Sequence, residues 1–220
     1  TRVRSSAASD VYKRQVKGLT QLVKRKLEKQ GATELTKVMA TIETQLNRLT
    51  KLVNELLDVS KIQAGRLDYA EEPIDIDELI QSIVDTAQLT STTHTITVQG
   101  ASHKHVLGDR DRLEQVFLNL ITNAVKYSPQ ADTVTLHITT SQEKVIVRVQ
   151  DFGVGIPQEH QTKIFERFYR VADDTTKAFP GLGMGLYISS EIVKRHGGEI
   201  TVESEEGKGS LFTVSLPVAS

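Results

Sequence analysis

From Leu35 onward the apolar residues Leu35, Met39, Ile42, Leu46, Leu49, Val53 and Leu56 step alternately by four and three positions, the seam of a helix that packs along another helix. Val38, Leu52, Leu57 and Ile62 widen this stripe beyond what a two-stranded coil buries, which predicts a four-helix bundle. A shorter helical pattern, Leu19, Leu22, Val23 and Leu27, precedes it and closes at Lys29-Gln30-Gly31-Ala32. Residues 16–67 therefore read as a helical hairpin. Two helices cannot bury that much apolar surface alone, so a homodimer through Leu35–Leu56 is expected; a hairpin packed on its own second domain is the alternative.

The pattern breaks at Asp68–Glu72, ahead of Pro73, and residues 68–76 are expected to be a linker. Beyond them, helical and strand periods alternate. A helix is predicted over Asp77–Leu89, strands over Thr95–Gln99 and around Val106, and a helix from about Asp109 with the stripe Leu113, Val116, Phe117, Leu120 and Ala124. Thr133–Thr139 and Lys144–Gln150 alternate as a hairpin, Val145, Val147 and Val149 facing one way. A helix over Met184–His196 is followed by strands Glu199–Glu203 and Ser210–Leu216, joined at Glu206-Gly207-Lys208-Gly209. Strands grouped in hairpins against helices predict an α+β chain: the hairpin domain, then an α/β sandwich with a largely antiparallel sheet over residues 77–217.

Four segments in this second domain carry chemistry. In Asn119-Leu120-Ile121-Thr122-Asn123-Ala124-Val125-Lys126-Tyr127, the two asparagines and Lys126 lie at helical spacing on neighbouring faces. Asparagine carbonyls are uncharged hard oxygen ligands, suited to a Mg²⁺ that keeps waters and is otherwise bound by phosphate. Lys126 supplies a point charge for those phosphates. Asp151-Phe152-Gly153-Val154-Gly155 ends a strand. Its carboxylate is placed to accept from the exocyclic amine of adenine, and its glycines let backbone approach a flat ring. Gly181-Leu182-Gly183-Met184-Gly185-Leu186 runs into a helix start, where backbone amides bind anions. Phe165-Glu166-Arg167-Phe168-Tyr169-Arg170 opens the polar stretch to Gly181, read as a lid with Phe165 and Phe168 as its apolar hinge and Arg170 near the phosphates. Singly, each has an ordinary reading as a solvated helix edge, a tight turn or a loop. A dinucleotide fold fails on context, because polar loop rather than a strand precedes the glycines.

In this order and spacing the segments resemble the N, G1, F and G2 boxes of sensor histidine kinases, within the wider Bergerat-fold (GHKL) ATPases. The resemblance runs from about Val16 to Pro217. It implies ATP and Mg²⁺ as cofactors, with Mg²⁺ contact at Asn123 and Asn119 beside it, and phosphate contact from Lys126. Tyr127, Phe165, Phe168 and Leu186 would border the nucleotide, and Asp151, with Gly153 and Gly155, would bind adenine. Arg170 would be the lid arginine, and Gly181, Gly183 and Gly185 the phosphate loop. The hairpin would be the dimerisation and phosphotransfer domain, and the partner the receiver domain of a response regulator. The implied activity is ATP-dependent protein-histidine kinase, with Asn119, Asn123, Lys126 and Arg170 at the chemistry.

The chain departs from that family at the phosphoacceptor. Counting back from Lys17-Gly18 reaches Ala7, and none of His94, His103, His105, His137, His160 or His196 fits the position. All six read as structural or surface residues. Residues 1–15, which lack the heptad logic, are expected to be a non-native or disordered start, with the acceptor histidine missing from this fragment. A non-catalytic nucleotide-binding dimer scaffold is the alternative. A water-activating ATPase of the chaperone or topoisomerase kind needs a glutamate just ahead of the first asparagine, and Glu114 lies too far back. The formal net charge of -1 gives no footprint for nucleic acid. No apolar run approaches the ~20 residues that span a bilayer, so membrane attachment is expected only through a region upstream. The absence of cysteine fits a cytoplasmic location.

Overall fold

The structure is a computed structural model that describes residues 23, 33–65, 70–141, 143–171 and 182–219. The expected start at residues 1–15, Ala7, the first hairpin helix apart from Val23, and the lid from residue 172 to Gly181 lie outside these residues. The chain divides into two compact units, residues 1–57 and 58–220.

In the first unit the heptad forms one long helix, α1 (Thr33–Gln63), which runs on into the second. Its seam residues Leu35, Ile42, Leu49 and Leu56 are exposed, whereas Met39 and Leu46 are half-buried. No described helix is long and apolar enough to cross a membrane.

The second unit begins at Asp58, earlier than the expected boundary at residue 67. Val59 belongs to its core, and the buried Asp58 carboxylate accepts from Arg112 Nη1 and Gln115 Nε2, each at 3.0 Å. The expected linker also contains a strand, β1 (Glu72–Asp75), which pairs antiparallel with β3 (His105–Gly108). Pro73 reads as a breaker, but a short edge pairing tolerates proline, and Ile74 alone buries the strand. Asp75 then caps α2 (Ile76–Thr90), its side chain accepting from the amides of Asp77 and Glu78.

The main sheet has the order β2-β4-β5-β7-β6, from β2 (Thr95–Gly100), β4 (Thr133–Thr140), β5 (Lys144–Asp151), β6 (Glu199–Glu205) and β7 (Gly209–Pro217). Only β2 and β4 run parallel; the other pairs are antiparallel, as the hairpin pattern predicts. Alternation places Leu136, Ile138, Val145, Val147, Val149, Val214 and Leu216 on one buried face. Against it pack α2, α3 (Arg110–Tyr127) and α5 (Gly185–Arg195) through Ile80, Ile83, Phe117, Leu120, Ile188 and Ile192. Burying Phe117 completely contributes about 3 kcal/mol. A short helix, α4 (Gln158–Gln161), and a 3-10 turn (Lys163–Phe165) follow β5. This packing fixes the end of β5, the C-terminal turns of α3 and the start of α5, from which the site is built.

Candidate nucleotide-binding site

The α3 helix starts at Asp109, whose side chain accepts from the amide of Arg112, and its apolar stripe faces the sheet. That orientation leaves Asn119, Asn123, Lys126 and Tyr127 half-buried along its other edge. Asn119 donates from Nδ2 to the Ser189 hydroxyl on α5 at 3.0 Å, so its carbonyl oxygen is the atom left for a ligand. The Asn123 side chain makes no hydrogen bond to a described residue. Lys126 donates to the Tyr127 hydroxyl at 3.0 Å and lies over that ring, 4.5 Å from its centroid. Among the described residues no cluster of three His, Cys, Asp or Glu side chains is available to a metal. Two neutral amide oxygens fit Mg²⁺ that retains water and takes phosphate oxygens, and do not make a protein-only cage.

Asp151 ends β5 and is buried, with 4% of its surface exposed. The amides of Gly153 and Ser210 both donate to its Oδ1, at 2.9 and 3.2 Å. Its Oδ2 accepts no bond from a described residue, and because no fully buried side-chain polar atom among the described residues lacks a partner, Oδ2 keeps some solvent exposure. Burial raises the carboxyl above the usual carboxylate value, and the two amides only partly offset that rise. The turn after it meets the end of α3, where the amide of Val154 donates to Tyr127 O at 3.0 Å. The first and second segments of the sequence reading are thereby joined.

The glycine-rich segment is joined to the same helix. A Cβ on Gly185 would stand 2.6 Å from Asn119 Oδ1, so only glycine lets α5 start this close to the asparagine. Among the described residues no side chain caps α5 at Met184, and the amides of a helix's first turn are donors for a ligand or solvent. Phe168, in the left-handed region at φ 64, donates from its amide to Gly183 O at 3.1 Å, bringing the third segment to the fourth.

Other expected residues sit differently. Phe165 is half-buried and packs edge-on against Phe212, with centroids 6.5 Å apart, and Leu186 packs against the core. Phe168 and Arg170 are exposed, and Gly181 lies outside the described residues. Sequence reasoning missed Ser189, Ser204, Ser210 and Gln161, which hold the site residues in place. Small polar residues on strands and helices carry no signal of their own until their partners are known.

Residues 108–220 match the family described as "Histidine kinase-, DNA gyrase B-, and HSP90-like ATPase". The sensor histidine kinase WalK of Bacillus subtilis (strain 168) is 36% identical over 80% of this chain and 29% of its own length. The sensor histidine kinase RppB of Synechocystis sp. is 32% identical over 89% of this chain and 44% of its own. The chain therefore spans less than half the length of these curated relatives. Full-length ShkA, solved in complex with AMPPNP, superposes with a TM-score of 0.72 at 27% identity, over 85% of this chain and 39% of that one. The mycobacterial sensor histidine kinase MprB gives 0.60 at 27% identity, over 68% of this chain and 98% of that one. The order of the four segments, the helix-backed sheet that gathers three of them and these relatives agree: the chain belongs to the histidine kinase-, DNA gyrase B- and HSP90-like ATPases, with a catalytic core of the sensor histidine kinase kind.

Proposed function

We propose that this chain binds ATP with Mg²⁺ in its second unit and serves as the protein-histidine kinase module of a two-component system. The observation that carries the reading is at Asp151. Both internal amides occupy Oδ1, and Oδ2 is left to accept from the exocyclic amine of adenine. The uncapped start of α5 then receives phosphates, with Lys126 adding charge and Asn119 and Asn123 offering amide oxygens to Mg²⁺. Bound Mg²⁺ supplies neutralisation of charge on the phosphate oxygens. The protein's own contribution to γ-phosphoryl transfer is positioning and fixed dipoles, with little covalent chemistry to perform. The exposed seam of α1 serves a homodimer, the phosphorylated histidine passes its phosphoryl group to a response regulator receiver domain, and the module works in the cytoplasm.

The test supplies the acceptor that the chain does not place in register. With His-Glu-Leu-Arg-Thr-Pro-Leu in place of Ala7–Lys13, incubation with γ-labelled ATP should give acid-labile, base-stable label, because a phosphoramidate needs an imidazole nucleophile. The label should disappear with Asn123→Ala. A repaired chain that binds ATP and dimerises yet stays unlabelled would instead identify a nucleotide-binding scaffold.

A further inference from the structure

The turn that carries Gly153 and Gly155 is held from behind by one serine. Ser204 Oγ donates to Gly209 O at 2.8 Å, accepts from the Ile156 amide at 2.8 Å and lies 3.0 Å from Ser210 Oγ. A hydroxyl has one proton and two lone pairs. With its proton on Gly209, Ser204 accepts from Ile156 and from the Ser210 hydroxyl, and its capacity is filled. Its backbone carbonyl accepts from Gln161 Nε2 at 2.7 Å, and the same amide donates to Ile156 O at 3.0 Å. Both backbone polar groups of Ile156 are thus fixed by this pair of residues.

The β6–β7 turn closes on the same loop. The Gly207 amide donates to Val154 O at 2.8 Å. Gly155, at φ +69, comes so close to the turn that a Cβ would stand 2.1 Å from Glu205 O. Ser210 links this network to the site, since its amide is one of the two donors to Asp151 Oδ1.

We infer that Ser204 is a positioning residue for recognition of the nucleotide base, locking the Gly153–Ile156 turn and the start of β7 so that Asp151 presents Oδ2 outward. The inference rests on the reading of Asp151 as the adenine acceptor. Ser204 touches neither base nor phosphate and acts through Ile156, Gly209 and Ser210. Removing its hydroxyl takes one hydrogen bond each from the Ile156 amide and the Gly209 carbonyl and frees the turn to shift.

The experiment measures affinity of the full chain for ATP and for inorganic triphosphate by calorimetry, well below the melting temperature. The chains compared are wild type, Ser204→Ala, Ser204→Thr, Asp151→Asn and the Ser204→Ala/Asp151→Asn double variant. Ser204→Ala should weaken ATP by about tenfold and triphosphate by less than about twofold. Ser204→Thr, which keeps the hydroxyl on a residue that strands accept, should restore most of the loss. In the Asp151→Asn background Ser204→Ala should add nothing, because residues acting through one group are not additive. ATP binding by Ser204→Ala equal to wild type, an undiminished effect in the Asp151→Asn background, or failure of threonine to restore binding would each overturn the inference alone. Wild-type ATP affinity in Asp151→Asn would overturn the adenine reading and the inference with it. If Ser204→Ala does not fold, Gln161→Ala removes the second anchor of Ile156 and should give the same loss, confined to ATP; weakening of triphosphate to the same extent would overturn the inference.

Discussion

The amide of Asp109 donates to Nε2 of His196 at 3.0 Å, across 87 positions of sequence. The other ring nitrogen, Nδ1, lies 2.8 Å from Ile192 O, and a carbonyl only accepts, so Nδ1 carries the proton and Nε2 is the acceptor. His196 therefore ties the end of α5 to the capping residue of α3. Further along, Asn119 and Ser189 tie the same two helices again. The helix that bears the asparagines and the helix that offers its amides are thus held as a pair.

The imidazole leaves no room beside it. A Cβ on Gly108 would stand 2.2 Å from His196 Cδ2, so Gly108→Ala should destabilise the second unit by about 1–3 kcal/mol. The check is urea unfolding, and the combination with His196→Ala should cost less than the sum of the two.

Asp77 gives the unit a dependence on acid. Burial raises its carboxyl, but the amides of Ser102 and His103, the Ser102 hydroxyl and the nearby His103 outweigh that and hold it below the usual carboxylate value. A folded-state value below the unfolded one contributes stability above the unfolded value, lost as pH falls through the folded one. Asp77→Asn should therefore be less stable than wild type at neutral pH. The difference should shrink once pH falls below the ordinary carboxylate range, as followed by denaturant titrations at stepped pH.

Asp151 has the opposite sign. Burial holds its carboxyl above the usual value, so its contribution to stability is full below the unfolded value and lost as pH rises through the folded one. Asp151→Asn should match or exceed wild type in stability at neutral pH while its ATP affinity falls by roughly ten- to a hundredfold. Calorimetry should also show wild-type ATP binding weakening in acid at a pH above that of an ordinary carboxylate, on a limb absent from the variant. A variant that loses stability and keeps ATP affinity would contradict the assignment.

Metal dependence separates the two asparagines from the base pocket. Asn123→Ala should remove the part of ATP affinity that depends on Mg²⁺ and leave affinity in chelator unchanged. A nucleotide titration with and without Mg²⁺ decides this, and an unchanged Mg²⁺ response would count against Asn123 as a ligand.

The exposed seam of α1 predicts a dimer. Ile42→Glu with Leu49→Glu would bury charges at that seam, a cost of several kcal/mol that only separation relieves. Sedimentation should show a dimer for the unaltered chain at tens of micromolar (a range of about 10–100 μM) and a monomer for the variant.

The sequence by itself determined the periodic elements and the order of the nucleotide segments. Helical and strand periods are local, so the stripe of Leu113, Val116, Phe117 and Leu120 and the alternation of Val145, Val147 and Val149 are legible without a structure. Asp151 and the asparagines stand out only because four such segments occur together in one order, since singly each has an ordinary reading. Tertiary structure decided what a linear pattern does not encode: that β2 pairs parallel with β4, that the stretch read as a linker supplies β1, and that Asp58 already belongs to the second unit. It also decided which oxygen of Asp151 is spent and which is open. Ile156 and Ser204 stand 48 positions apart, and Asn119 and Ser189 stand 70. A hydrogen-bond partner at such separation is chosen by the packing of the sheet and its helices, not by any spacing along the chain.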